Sequence, residues 1–398
     1  MTEPSVRLPD DFLWGAATAA HQIEGNNLNA DLWPAEQAGN PPFTEPSGDA
    51  CDSYHRYRED IRLLAEAGLK VYRFSIEWAR IEPAQGRISR AQLLHYRGMI
   101  DTCHEFDVTP FVTLHHFTSP RWFAEGGGLR GPDAVAHFTA YVEAACEILH
   151  DVTWVVTINE PNIWCLFDAL SSPTAGAATV DLASMPAPDP DLAQTMVAMH
   201  RAAVTVLRAR TTANVGWAIA AQAFTPTPGN EAVFDRVFHQ WEGTFYDATD
   251  GDDFIGIQSY TSQPVDANGP VPHPDDPTNT LTGWAYRPDA LGINLVRVWQ
   301  LKGVPLMVTE NGIATDDDSR RIAYTRDALL GLTRAVASGV HVLGYLHWSL
   351  LDNYEWGTYR PTFGLIAVDR AGTFARTPKP SLAWLGRVAA SNGADLDT

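Results

Sequence analysis

Two short apolar runs in this chain each end on a glutamate. VTWVVTI is followed by Asn159-Glu160-Pro161, and PLMVT by Glu310-Asn311-Gly312. Both runs are rich in β-branched residues and suit strands buried on both faces. Pro161 cannot donate to a ladder, so pairing is expected to stop there, with Glu160 projecting from the strand end. Gly312 is expected to permit a sharp turn that leaves Glu310 at a strand end as well. If the two ends face one another across a concave site, one carboxyl can serve as a protonated acid and the other as an ionised nucleophile or base. That is the machinery of glycosidic bond hydrolysis. Either glutamate alone also suits a structural role, such as capping a helix; two at opposed strand ends point to chemistry.

Something must hold those ends in place. Eight strand-like runs occur, at 12–18, 71–78, 109–117, 152–160, 214–222, 254–260, 305–310 and 342–350. The fifth is Ala-rich and also reads as helix. Amphipathic stretches separate them. The clearest runs from Ser53 to Ala67, with Tyr57, Ile61, Leu64 and Ala65 on one stripe, Asp52 placed as N-cap and Gly68 as C-terminal stop. Others lie near 90–106, 133–149, 191–210, 229–244, 288–301, 322–338 and 380–390. Eightfold alternation predicts a (β/α)8 barrel built as one domain over residues 1–398. The Gly-, Pro- and Asp-rich segments 38–51, 171–190, 262–284 and 313–320 all follow a strand and precede a helix. In a barrel they share the end where active sites are built. Strands four and seven stand three places apart around an eight-stranded ring, so Glu160 and Glu310 can face across its mouth.

Composition narrows the function classes. The chain has 398 residues, 28 Lys and Arg against 48 Asp and Glu, and a net charge of −20. No basic patch suited to nucleic acid or to anionic lipid is visible, and no apolar run approaches the ~20 residues of a membrane helix. Four scattered cysteines, at 51, 103, 146 and 165, form no C-x-x-C pair and suit reduced thiols in a cytoplasm. The opening MTEPSVRLPDDFLW has no secretory h-region. His115 and His116 are adjacent on a strand and point to opposite faces, so they do not make a metal pair; neither an H-E-x-x-H nor a dinucleotide or phosphate loop is present. No cofactor and no metal are expected. The Gly126-Gly127-Gly128 run reads as a turn.

LPDDFLWGAATAAHQIEG near the start, TINEPN, VTENG and WSLLDNYEW stand in one order over nearly the whole chain. With these four motifs the sequence resembles glycoside hydrolase family 1, the β-glucosidase family. The resemblance implies the same barrel and a retaining β-glycosidase acting on a small β-glycoside and water. It assigns Glu160 as general acid/base and Glu310 as nucleophile, with the carboxyl groups about 5 Å apart as retention requires. Arg73 and Tyr260 would hold Glu310 ionised, and Asn159 would donate to the sugar 2-hydroxyl. Gln22 and His116 would bind hydroxyls near C3, and Glu355 would accept from those at C4 and C6. Trp348 would form the stacking floor, with Trp356 and Phe363 at the pocket wall. A carboxyl at 355 implies a neutral sugar in place of a 6-phosphosugar: glucose, with galactose or fucose tolerated.

The likeness breaks at several points. His115-His116-Phe117 stands where the family has Tyr-His-Trp, and Gln258-Ser259-Tyr260 where it has Asn-Tyr-Tyr. A Gly-Gly-Trp segment is replaced by GGGL, and the loop between Trp356 and Phe363 is one residue short. These changes fall on pocket walls and leave both carboxyls in place. They keep open a different glycone, such as another pyranose or a disaccharide. Two other classes stay in view: a non-catalytic sugar-binding barrel, and an inverting or metal-dependent hydrolase on the same scaffold.

Overall fold

The computed structural model describes residues 8–39, 42–170 and 187–396. Most of the expected loop 171–190, and positions 40 and 41 of the loop 38–51, lie outside the described residues. Eight strands close a parallel barrel: β1 (Leu13–Ala17), β2 (Val71–Ser75), β3 (Thr109–His115), β4 (Trp154–Asn159), β5 (Asn214–Ala220), β6 (Ile255–Gln258), β7 (Leu306–Asn311) and β8 (Val342–Trp348). Closure comes from β1, which pairs with β8 from Leu13↔Gly344 to Ala17↔Trp348 and with β2 at Gly15↔Val71. The first and last motifs of the sequence therefore meet at one seam.

A helix follows each strand: α1 (Ser53–Glu66), α2 (Arg90–Glu105), α3 (Ala134–Ala145), α4 (Pro190–Arg210), α5 (Glu231–Phe238), α6 (Ala290–Lys302), α7 (Asp318–Ala337) and α8 (Pro380–Ala390). The Ala-rich fifth run is a strand. Its neighbours on both sides offer ladder partners, and that tertiary pairing overrides the helix preference of alanine. In α1, Ile61 and Leu64 are fully buried, and Gly68, at φ +93°, stops the helix in the left-handed region that only glycine enters freely. Asp52 departs from its expected role. It adopts φ 55° and its carboxylate accepts from the side chains of His55 and Arg56, not from a backbone N–H. Capping by aspartate is realised at α4, where Asp189 accepts from the N–H groups of Asp191 and Leu192 ahead of Pro190.

The apolar residues separate into an inside and an outside set. Val71, Phe111, Val156, Ala218, Met307 and Leu346, one from each of six strands, join Ala17 of β1 and Phe254 beside β6 in a cluster that plugs the barrel. The larger set, including Phe74, Ile158, Leu295 and Leu329, lies between strands and helices. The plug makes the barrel a solid support, so the site sits on its upper layer. Among the described residues no helix is long and apolar enough to cross a membrane, and no three His, Cys, Asp or Glu side chains gather as a metal site.

Candidate active site

Alternation along β4 would turn Val156, Ile158 and Glu160 to the same face. The ladder with β5 instead slips between Val156 and Asn159, and Ile158 packs outward with the larger cluster. The slip turns Asn159 into the barrel. Glu160 follows at φ 43°, a strained left-handed conformation for a glutamate. Its N–H donates to the Ala218 carbonyl at 2.7 Å, and its own carbonyl accepts from Ile163 and Trp164 as the helix begun by Pro161 sets off. Strand pairing thus reaches the Glu160 N–H before Pro161 ends it.

A second slip serves Glu310. Met307 faces the plug and Val308 the helices, so alternation would send residue 310 outward with 308. The β7 ladders to β6 and to β8 both shift after Val308, and Glu310 enters the barrel mouth. Gly312 is required by close approach, not by a left-handed turn. A Cβ there would lie 2.0 Å from the Trp348 carbonyl oxygen.

Both Glu310 oxygens are engaged. Arg73, fully buried, donates through Nη1 to Oε1 at 2.5 Å, and the Tyr260 hydroxyl donates to Oε2 at 2.5 Å. Arg73 is itself aimed by Thr113, whose Oγ1 accepts from Nε at 3.0 Å, and by the Asn159 carbonyl oxygen on Nη2. The Asn159 Oδ1 also accepts from Gln258 Nε2 at 2.7 Å, and Asn159 Nδ2 lies 3.2 Å from His116 Nε2. One polar network therefore joins β2, β3, β4, β6 and β7.

The two carboxyls feel one another. Burial pushes Glu160 well above the usual carboxylate range, the Glu310 charge pushes it further, Arg73 opposes and Glu355 adds a smaller push. Burial also raises Glu310, but the Arg73 guanidinium and the Tyr260 hydroxyl pull it back. Glu310 has a guanidinium and a hydroxyl donor that favour its ionised form, whereas Glu160 has the Glu310 charge against it, so the partners favour the proton on Glu160. Burial together with the Arg73 charge keeps His116 neutral.

The expected pocket residues converge on the same mouth. The Trp348 indole N–H points to Glu355 at 3.3 Å, and Trp348 stacks on His116 with ring centroids 5.8 Å apart. Trp356 stacks on His116 and on His21 and meets Phe117 edge-on at 4.9 Å. Phe363 packs edge-to-face on Tyr260 at 5.8 Å. Gln22 donates to the Tyr354 carbonyl at 2.7 Å and to Asn353 at 3.1 Å, which leaves its buried Oε1 as a free acceptor. Burial raises Glu355 well above the usual range, while Trp348 and Gln22 restrain it. His115 is turned away, stacked on Trp164 at 3.6 Å. Two participants were not singled out as site residues from the sequence. Thr113 aims Arg73, and Trp284 lies half-buried against Tyr260 at 5.7 Å. Thr113 carries no signal in one dimension, whereas a lone tryptophan in a Gly- and Pro-rich loop was a visible one.

Comparison with known proteins agrees with the barrel and its motifs. The thermostable beta-glucosidase B of Thermobispora bispora is 31% identical over 453 residues, covering 97% of this chain and 91% of that protein. Among solved structures, a beta-glycosidase from Pyrococcus horikoshii superposes with TM-score 0.88 at 32% identity, covering 98% of this chain and 96% of that one. The beta-glycosidase BGL167 superposes at 0.86 with 40% identity, covering 96% and 97%. The family model described as glycosyl hydrolase family 1 matches residues 5–249 and 250–394. A closed parallel barrel, two glutamates at its mouth and a match along almost the whole length agree: the chain belongs to glycosyl hydrolase family 1.

Proposed function

We propose that this chain is a single-domain retaining β-glycosidase that removes a terminal β-D-glucosyl residue, tolerates galactosyl or fucosyl, and needs no cofactor. The observation that carries the reading is the unequal pair: Glu310 gripped by Arg73 and Tyr260, and Glu160 pushed upward by burial and by the Glu310 charge. Glu160 protonates the departing oxygen while Glu310 attacks the anomeric carbon and forms a glycosyl ester. Ester formation removes the Glu310 charge, so the Glu160 pKa falls and its carboxylate can take a proton from the incoming water. Retention follows from the two successive displacements. Asn159 Nδ2 would donate to the sugar 2-hydroxyl. Neither Glu355, whether ionised or protonated, nor Arg73, committed to Glu310, offers a cation to a 6-phosphate, which supports a neutral glycone. Four buried cysteines scattered along the chain, with no disulfide among them, support a reducing, cytoplasmic setting.

Glu310→Ala and Glu160→Ala should each cut turnover of aryl β-glucosides by orders of magnitude. Azide should restore product of inverted configuration in the first variant and of retained configuration in the second. Near-normal activity in either variant would reassign the roles. Inert wild-type protein that still binds glycosides would favour the sugar-binding reading. A panel of aryl β-glycosides with plain glucosidase preference would remove the altered-glycone reading, which rests on Phe117 and Gln258.

A further inference from the structure

We infer that Gln258 is a positioning residue that fixes Asn159 as an obligate donor toward the glycone 2-hydroxyl. The inference rests on the glycosidase reading and deepens it. Arginine has no acceptor, so the Asn159 atom facing Arg73 Nη2 must be the carbonyl oxygen. Gln258 places a second donor on that same oxygen at 2.7 Å. Both lone pairs of Oδ1 are then filled, and the Asn159 amide cannot flip without setting N–H groups against N–H groups.

Nδ2 is thereby turned to the opposite side, where one of its hydrogens meets His116 Nε2 at 3.2 Å. That contact has a consequence for the histidine. His116 is neutral, and an Nε2 that accepts leaves its proton on Nδ1. The second Nδ2 hydrogen of Asn159 is uncommitted within the network and is available to a sugar oxygen. Arg73 alone could hold Asn159, but Arg73 also serves Glu310 and Thr113. Gln258 is paired to Glu310 in the β6–β7 ladder and lies two residues before Tyr260, so the strand that positions Tyr260 on the nucleophile also carries the clamp on Asn159. Its buried Oε1 has no partner, so the side chain's hydrogen bonding in this structure is that single donation. The family resemblance places asparagine at this position, and the longer glutamine reaches across from β6 to β4.

The test compares aryl β-glucoside with the matching aryl 2-deoxy-β-glucoside. Gln258→Met keeps the volume and removes the donor. The wild-type preference for the 2-hydroxy substrate in kcat/KM should shrink by about tenfold, as expected for one lost orienting hydrogen bond, and most of the loss should fall on kcat. Gln258→Glu adds a readout that packing damage does not move. Its carboxyl donates to Asn159 only when protonated, so the preference should be near wild type at the acid end and decline as pH rises. Equal loss on both substrates with a pH-independent ratio, or an unchanged ratio in both variants, overturns the inference while leaving the glycosidase reading intact. Wild-type protein inert toward both substrates removes that reading, and the inference with it.

Discussion

At the scale of single residues, the site works by making two like groups unlike. Glu310, buried, and Glu160, half-buried, share the barrel mouth, and desolvation there raises both. The difference lies in partners: Glu310 has a guanidinium and a phenol, whereas Glu160 has the Glu310 charge. A sign follows for the pH profile. In the proposed mechanism the acid is protonated Glu160, so kcat/KM should fall as pH rises through its elevated pKa, and fall again on the acid side as Glu310 takes up a proton. Glu160→Gln, assayed with a dinitrophenyl glycoside whose leaving group needs no protonation, should lose the alkaline limb and keep the acid limb. An alkaline limb that persists in this variant would assign it to another group.

At the scale of elements, the decisive features are the two ladder slips. Without the shift after Val308, Glu310 would share the outward face of β7, and without the shift after Val156, Asn159 would miss Arg73. Gly312 holds the first slip against β8, because only a residue without Cβ fits beneath the Trp348 carbonyl. Gly312→Ala should cost about 1–3 kcal/mol of stability and lower kcat by about a hundredfold, since a backbone contact cannot rotate aside and Glu310 must move with its strand. Gly303→Ala is the control. It lies at the left-handed end of α6 with open space around it, so it should cost about 1 kcal/mol and leave kcat unchanged. Equal losses of kcat in both variants would show that the effect is general destabilisation.

For the whole molecule, buried acids tie stability to pH. The chain carries 48 acidic residues against 28 basic ones, and several of the acids are buried. Glu242, fully buried in a π-helical turn (His239–Gly243), accepts from the Gln222 N–H and the Tyr246 hydroxyl, and burial pushes its pKa up to about 7. In the unfolded chain the same group ionises near 4.5. The folded state therefore binds the extra proton between these values, and this contribution is complete below about pH 4.5 and lost as pH rises through 7. The loss is on the order of 3 kcal/mol. Urea unfolding from pH 5 to pH 8 should show stability falling, and Glu242→Gln, which cannot ionise, should flatten that fall. An equally steep decline in the variant would place the proton elsewhere.

Much of this was legible in one dimension. Short apolar runs alternating with amphipathic ones specify strands and helices through periodicity, and eight repeats of that alternation leave few architectures besides a barrel. The glutamates stood out because each ends an apolar run beside a residue that interrupts a strand. The Asp52 cap failed because nearby His55 and Arg56 compete for its carboxylate, a choice made by side-chain geometry. The reason for Gly312 is not visible along the chain, because it is a carbonyl on another strand. Sequence alone determined which groups could do chemistry and roughly where along the barrel they would emerge. Only the folded chain decided which way they face, because a one-residue slip in a ladder inverts every side chain beyond it, and the partners that set a carboxyl's affinity for protons come from five different strands.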